Sequence, residues 1–192
     1  MKNFMKKIAL IAIAFLAFSC SKDEQPRTVA VSSIVASAKV TPELSSFVEA
    51  LQITGLTSTF DSAGDYTVFV PNDDAFAAVL TALGEPDLAT VEVDYPGLLA
   101  KVLKYHVVTS RVLSTTLSNN QNVSTLFEQP FSVSIVPVDN SNPAEYLGQT
   151  NFISLTGNST LTPTTANVTA RDIKCTNGII HTIDAVLIPA GL

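Results

Sequence analysis

The chain has 192 residues, 46% of them hydrophobic and 15% charged, with 11 Lys and Arg against 17 Asp and Glu. That length fits one domain, and the composition is too apolar for a disordered chain and too poor in charge for a long coiled coil. A net charge of −6 argues against nucleic-acid binding, which needs clustered cations, while two Cys and two His exclude disulfide frameworks, zinc ribbons and His-rich metal sites.

Lys2, Lys6 and Lys7 precede an unbroken apolar run from Ile8 to Phe18. Eleven helical residues span about 16 Å, well short of the ~30 Å hydrocarbon core. Residues 1–19 therefore read as a cleaved secretory signal rather than a transmembrane helix. Ala17-Phe18-Ser19-Cys20 resembles a bacterial lipobox, which implies lipid on Cys20 and a membrane anchor through it. Lys22-Asp23-Glu24 resembles the surface-export signal of Bacteroidota lipoproteins, which implies an outer-membrane lipoprotein at the cell envelope, facing outward. Residues 20–28 then form a flexible tether with Pro26. Removal of 1–19 leaves 8 basic against 17 acidic side chains, so the anchor holds an acidic domain, residues 29–190.

Val31, Ile34, Val35 and Ala38 fall on one helix face. Thr41-Pro42-Glu43 reads as an N-cap, a Pro at N1 and an acid in the first turn of a helix carrying Leu44, Phe47, Val48 and Leu51, with Gly55 at its C-terminus. Asp61 to Asp65 is a turn. Tyr66 to Pro71 is a β-rich apolar run stopped by Pro, a strand buried on both faces. Asn72 caps a helix with Phe76, Val79, Leu80 and Leu83 on one side, and Glu85 to Leu88 reads as a loop. Pro96 starts a further helix that runs into a strand over Tyr105-His106-Val107-Val108. Beyond residue 110 Ser, Thr and Asn rise, and short strands are predicted at 131–137, 152–155, 167–170, 178–183 and 185–188, with an exposed loop at 138–150. Helices first and strands second make an α+β domain.

Three segments in this order resemble the fasciclin (FAS1) domain: Tyr66 to Phe76 (YTVFVPNDDAF), Leu103 to His106 with its Tyr-His pair, and Ala170 to Pro189 (ARDIKCTNGIIHTIDAVLIP). The resemblance spans roughly residues 29–190. It implies a wedge of two β-sheets with flanking helices and a non-enzymatic adhesion role toward an extracellular protein or polysaccharide, without cofactor. A glycan-capture lipoprotein serving a nutrient-uptake system is the alternative. Sugar platforms usually need exposed Trp or Tyr, and the chain has no Trp and four Tyr.

By the same resemblance Tyr105, His106, Asp172 and Ile173 are binding positions, and Asn72, Asn177, Gly178, His181 and Asp184 belong to the structural motif. Strand alternation would put Tyr105 and His106 on opposite faces, so at least one is buried and hydrogen-bonded; His106 is read as structural. Animal relatives carry integrin recognition on the stretch aligned with 170–174, but Arg171 and Lys174 depart from their pattern. A buried His181 needs a partner, for which Tyr105, Asp172 or Asp184 could serve. No Ser or Cys sits in a G-x-S-x-G elbow, and nothing basic adjoins Cys175, which reads as a small buried hydrophobe; no catalytic residue is expected. Asp73-Asp74 and Asp61/Asp65 lack calcium-loop spacing, so capping and turn roles fit them and no metal is expected. Asn122-Val-Ser124, Asn158-Ser-Thr160 and Asn167-Val-Thr169 match the N-glycosylation pattern by chance in a Ser/Thr/Asn-rich region, and Asp61-Ser62-Ala63 resembles a Bacteroidota O-glycosylation site.

Overall fold

A computed structural model describes residues 32–137, 151–159 and 164–192. The signal segment, Cys20, the Lys22-Asp23-Glu24 cluster and the 138–150 loop lie outside these residues. Among the described residues six α-helices come first: α1 (Ile34–Lys39), α2 (Ser45–Ile53), α3 (Thr57–Asp61), α4 (Asp73–Leu83), α5 (Leu88–Asp94) and α6 (Leu98–Tyr105), with β1 (Tyr66–Pro71) between α3 and α4. Then follow β2 (Val107–Val108), β3 (Asn122–Ser124), β4 (Pro130–Pro137), β5 (Asn151–Thr156), β6 (Thr165–Cys175) and β7 (Gly178–Ile183). No helix among the described residues is long and apolar enough to cross a membrane.

Both ends of α4 follow local sequence signals. Asn72 accepts the Ala75 amide at 2.9 Å, and its own N–H reaches the Ile183 carbonyl at 3.0 Å, so the cap also ties α4 to the end of β7. Gly84 closes α4 in the left-handed conformation. Thr41 makes no capping bond; its hydroxyl donates back to Ser37, and Pro42–Leu44 is a 3₁₀ turn that leads into α2. The missing cap of α2 comes from Asp73, whose carboxylate accepts from the Ser45 hydroxyl and the Ser46 amide, both at 2.7 Å.

The seven strands run in the order β2-β1-β7-β6-β5-β4-β3. Among the described strands only β1 and β7 pair in parallel, with Val68 opposite Ile180 and Phe69 opposite His181. β6 belongs to both halves of the sheet: Thr165–Asn167 pair with β5, and the stretch from Val168 to Cys175 pairs with β7. The expected two-sheet wedge is thus joined through one shared strand. One core lies under the helices and takes Val68, Val70 and Ile180; a second takes Phe69, Tyr105, Phe131, Leu155, Ile183 and Leu187. Each such side chain contributes about 1.5–3 kcal/mol when fully buried.

Three expectations are corrected. α3 and α5 occupy stretches for which no element is predicted, reaching into the turn at Asp61 and the loop at Leu88, and Asp87 caps α5 by accepting the Thr90 amide at 2.7 Å. Tyr105 and His106 end a helix instead of opening a strand. Residues 185–188 form no ladder: the Leu187 amide donates to the His106 ring and the Ile188 amide to the Thr164 hydroxyl, so side chains take the bonds a neighbouring strand would take.

Candidate functional site

The residues marked in the sequence fall into a buried Tyr-His pair at the end of α6 and a polar node on β6. Tyr105 and His106 are both 0% exposed. The Tyr105 hydroxyl donates to the Pro130 carbonyl at 2.9 Å and accepts the Asn158 amide at 3.0 Å, while its ring meets Phe131 edge-on. The His106 Nδ1–H donates to the Val102 carbonyl at 2.7 Å, and Nε2 accepts the Leu187 amide at 2.9 Å. Those partners require a neutral ring, and full burial pushes its pKa down to about 4 despite the Val102 bond. Placed there as expected binding residues, neither can touch a partner of the folded domain; both are hydrogen-bonded parts of the second core.

The node begins with two breaks in the β6–β7 register, between Val168 and Ala170 and between Ala170 and Ile173. They lift Asp172 out of the ladder with φ at +61°, a left-handed conformation that Asp tolerates better than most side chains. Its N–H then points at His181 Nδ1, 3.2 Å away, rather than at a strand neighbour. Its carboxylate accepts the Ser114 amide at 2.8 Å and the Ser114 hydroxyl. Ser114 opens the 3₁₀ turn Ser114–Thr116, whose N-cap Leu113 has no side-chain acceptor, so Asp172 caps that turn from across the chain. Burial raises the Asp172 pKa, but the two Ser114 bonds and the charges of His181 and Arg171 outweigh it and hold the carboxyl below its ordinary value.

His181 stacks against Phe69, ring centroids 5.1 Å apart and planes 20° from parallel. Nε2–H donates to the Val112 carbonyl at 2.9 Å while Nδ1 accepts from Asp172, the opposite tautomer to His106. Burial lowers its pKa, with the Val112 bond and the Asp172 charge acting the other way. The partner predicted as a carboxylate or Tyr is therefore backbone on both sides. Asp184 instead binds Asn167, accepting its amide at 2.6 Å and its side-chain NH₂ at 2.9 Å.

Asn177 and Gly178 close the turn after β6. Asn177, 4% exposed, donates to the Phe60 and Ser62 carbonyls and accepts the Ile34 amide, which fixes the start of α1 and the end of α3 on the sheet. A Cβ at Gly178 would stand 2.2 Å from the Tyr66 carbonyl oxygen, so only glycine permits the parallel pairing there. Arg111, missed in the sequence, braces the same turn: its Nε meets Asp65 at 2.6 Å and its NH₂ donates to the Thr176 carbonyl at 2.7 Å. Its signal was available, since it is the one Lys or Arg between Lys104 and Arg171. Ser114 and Thr67, which accepts the Val112 amide at 2.8 Å, carried none amid so many hydroxyls.

Ser114, Asp172 and His181 are neighbours, yet the order needed for nucleophilic catalysis is missing. The Ser114 hydroxyl donates to the carboxylate, and both imidazole nitrogens are taken by backbone, so no base faces a nucleophile. Cys175 is buried, and burial raises its thiol pKa, which keeps it protonated. Among the described residues no three His, Cys, Asp or Glu side chains are placed to hold a metal ion. An open cleft of about 420 Å³ is lined by Pro42, Glu43, Asn72, Asp73, Asp74 and Thr169, with Asp73 already bonded to α2.

The family model of the fasciclin domain matches residues 42–189. The chain belongs to the fasciclin domain family. It is 32% identical over 145 residues to the transforming growth factor-beta-induced protein ig-h3 of Sus scrofa, covering 76% of this chain and 17% of that protein. It is 27% identical over 166 residues to protein sll1483 of Synechocystis, covering 86% and 78%. Mouse stabilin-2 matches at 31% over 130 residues, 67% of this chain and 4% of that protein. The chain thus spans a small part of its animal relatives and most of the cyanobacterial one. Among solved structures, a FAS1 domain pair from the insect cell adhesion molecule fasciclin I superposes with a TM-score of 0.53 at 18% identity, over 82% of this chain and 51% of that one.

Proposed function

We propose that the chain is a non-enzymatic adhesion or binding module, held at the cell envelope by lipid on Cys20 and recognising an extracellular protein or polysaccharide. The observation that carries this reading is the fasciclin match over 42–189, in a family with a cell adhesion molecule among its solved members. The chemistry of the node supports it, because His181, Asp172 and Ser114 are spent on one another and on backbone. Lys2, Lys6, Lys7, the apolar run and Cys20 support the anchor, and Lys22-Asp23-Glu24 supports outward display.

The test is binding of the full chain to an array of matrix proteins and glycans. Saturable capture by one class, unchanged when Ser114 is replaced by Ala, fits a binding module; turnover of an arrayed ligand overturns it. Anchoring is tested separately. Cys20→Ser should move the protein from the membrane to the soluble fraction or stall its processing, and unchanged retention at unchanged mature size defeats the lipid anchor.

A further inference from the structure

We propose that Asp172 is one arm of an acid-operated switch: when His181 takes up a proton, the Asp172 carboxylate leaves Ser114 for the imidazolium and frees the 113–116 turn from β6. This inference stands on the geometry of the node and is independent of the ligand the domain binds.

The polarity of two hydrogen bonds sets the trigger. At neutral pH the ring offers a lone pair on Nδ1 to the Asp172 N–H, 3.2 Å away, and a proton on Nε2 to the Val112 carbonyl. A second proton can only go onto Nδ1. There it points at another N–H, so an attractive contact becomes a repulsive one, while the Val112 bond survives because Nε2 still donates. The imidazolium then lacks an acceptor on one side.

The same residue that loses its contact carries the nearest replacement. The carboxylate of Asp172 already acts electrostatically on the ring, and the ring on it. It needs only to turn away from Ser114. The backbone permits this, because Asp172 sits at φ +61° between two register breaks and its N–H serves His181 rather than the ladder. Ser114 cannot follow. Its amide and hydroxyl have Asp172 as acceptor, and Leu113 supplies no cap, so the turn is left with unpaired donors. The two arrangements exchange one charge-assisted bond set for another, which is what a bistable element requires.

The charges facing His181 are few. From β6, Asp172 favours its protonation and Arg171 opposes it. β1 presents the uncharged Phe69, and the 111–113 stretch presents the Val112 carbonyl. Arg111, on that stretch, is engaged by Asp65 and by the Cys175 and Thr176 carbonyls. Burial moves the transition of the ring below its ordinary 6.5, and His106, bonded at both nitrogens in the second core, is held at about 4.

Amide hydrogen exchange on the full chain, corrected for intrinsic rates and followed from pH 7.5 to 4.5, tests the switch. Protection at 113–116 and 171–173 should fall at least tenfold through one midpoint, with β1 and β7 changing less than twofold. Ser114→Ala removes a competitor for the carboxylate and should move that midpoint to higher pH; Asp172→Asn removes the anion and should move it lower. His181→Gln should abolish the transition, and if that variant fails to fold, the opposite shifts of the other two decide alone. Protection lost equally across the sheet, no loss between pH 7.5 and 4.5, or a midpoint that both variants leave in place overturns the proposal.

Discussion

β1 and β7 stand between the two cores, whereas β4 and β5 cover only one of them. Every residue of β7, and all of β1 after Tyr66, is buried. In β1, Val68 and Val70 face the helical core while Phe69 between them faces the other. In β4 the first four residues alternate, with Phe131 and Val133 inside and Pro130 and Ser132 outside. The sequences differ accordingly: a continuous apolar run for a strand with two dry faces, alternation with Ser and Thr for a strand with one. The two-faced pair is also where the chain tolerates least, since Gly178 admits no Cβ and His181 must be bonded at both nitrogens.

Substitutions on the two kinds of strand should separate cleanly. Phe69→Ala, in the two-faced wall, should cost about 3–5 kcal/mol in urea unfolding, because it opens a hole beside both Phe131 and His181. A loss below about 1 kcal/mol would mean the wall can collapse around the gap. The second largest effect depends on pH. Below pH 6.5 the unfolded His106 binds a proton that the folded ring refuses until about 4. Stability is therefore full above 6.5 and falls by about 3 kcal/mol as pH drops to 4, then levels. His106→Gln should flatten that part of the profile. Asp73 and Asp172, held below their usual values, add a separate loss only when pH falls beneath the carboxylate range.

Asn72→Ala removes the α4 cap next to the wall and should cost about 1 kcal/mol, with Asn72→Asp recovering most of it. The smallest effect belongs to the one-faced strands. Val136 and Phe152 lie opposite each other and are 54% and 41% exposed, so Val136→Ser should change stability by no more than about 0.5 kcal/mol. A change as large as that of Phe69→Ala would erase the distinction between the two regions.

How far the sequence was legible follows the same division. β1, β7 and the Asn72 cap could be read because a long apolar run, a Pro stop and an Asn before a helical period are local signals. α3 and α5, of five and seven residues, are too short for a period to emerge. Tyr105-His106-Val107-Val108 has strand propensity, yet α6 continues through Tyr105 because Leu99, Leu103 and Tyr105 pack inward. The node was half legible. Asp172 and His181 were singled out, but their meeting depends on two register breaks, and Ser114 reaches them from 58 positions away. Tertiary pairing chose backbone partners for His181 that no spacing rule contains.

The parallel ladder has one more consequence, for the order in which the chain can fold. Tyr66 lies beside Gly178, so the centre of the sheet is closed only when β7 reaches β1 across most of the described chain. Contacts of such long sequence separation form slowly, since the intervening loop must be closed before they reward it. A nascent chain that has not yet delivered Ile183 leaves β1 with only the two-residue β2 as neighbour and both cores open. Such a chain stays open until β7 is delivered, and a stop codon after Ile180 should yield an aggregating product rather than a weakened domain.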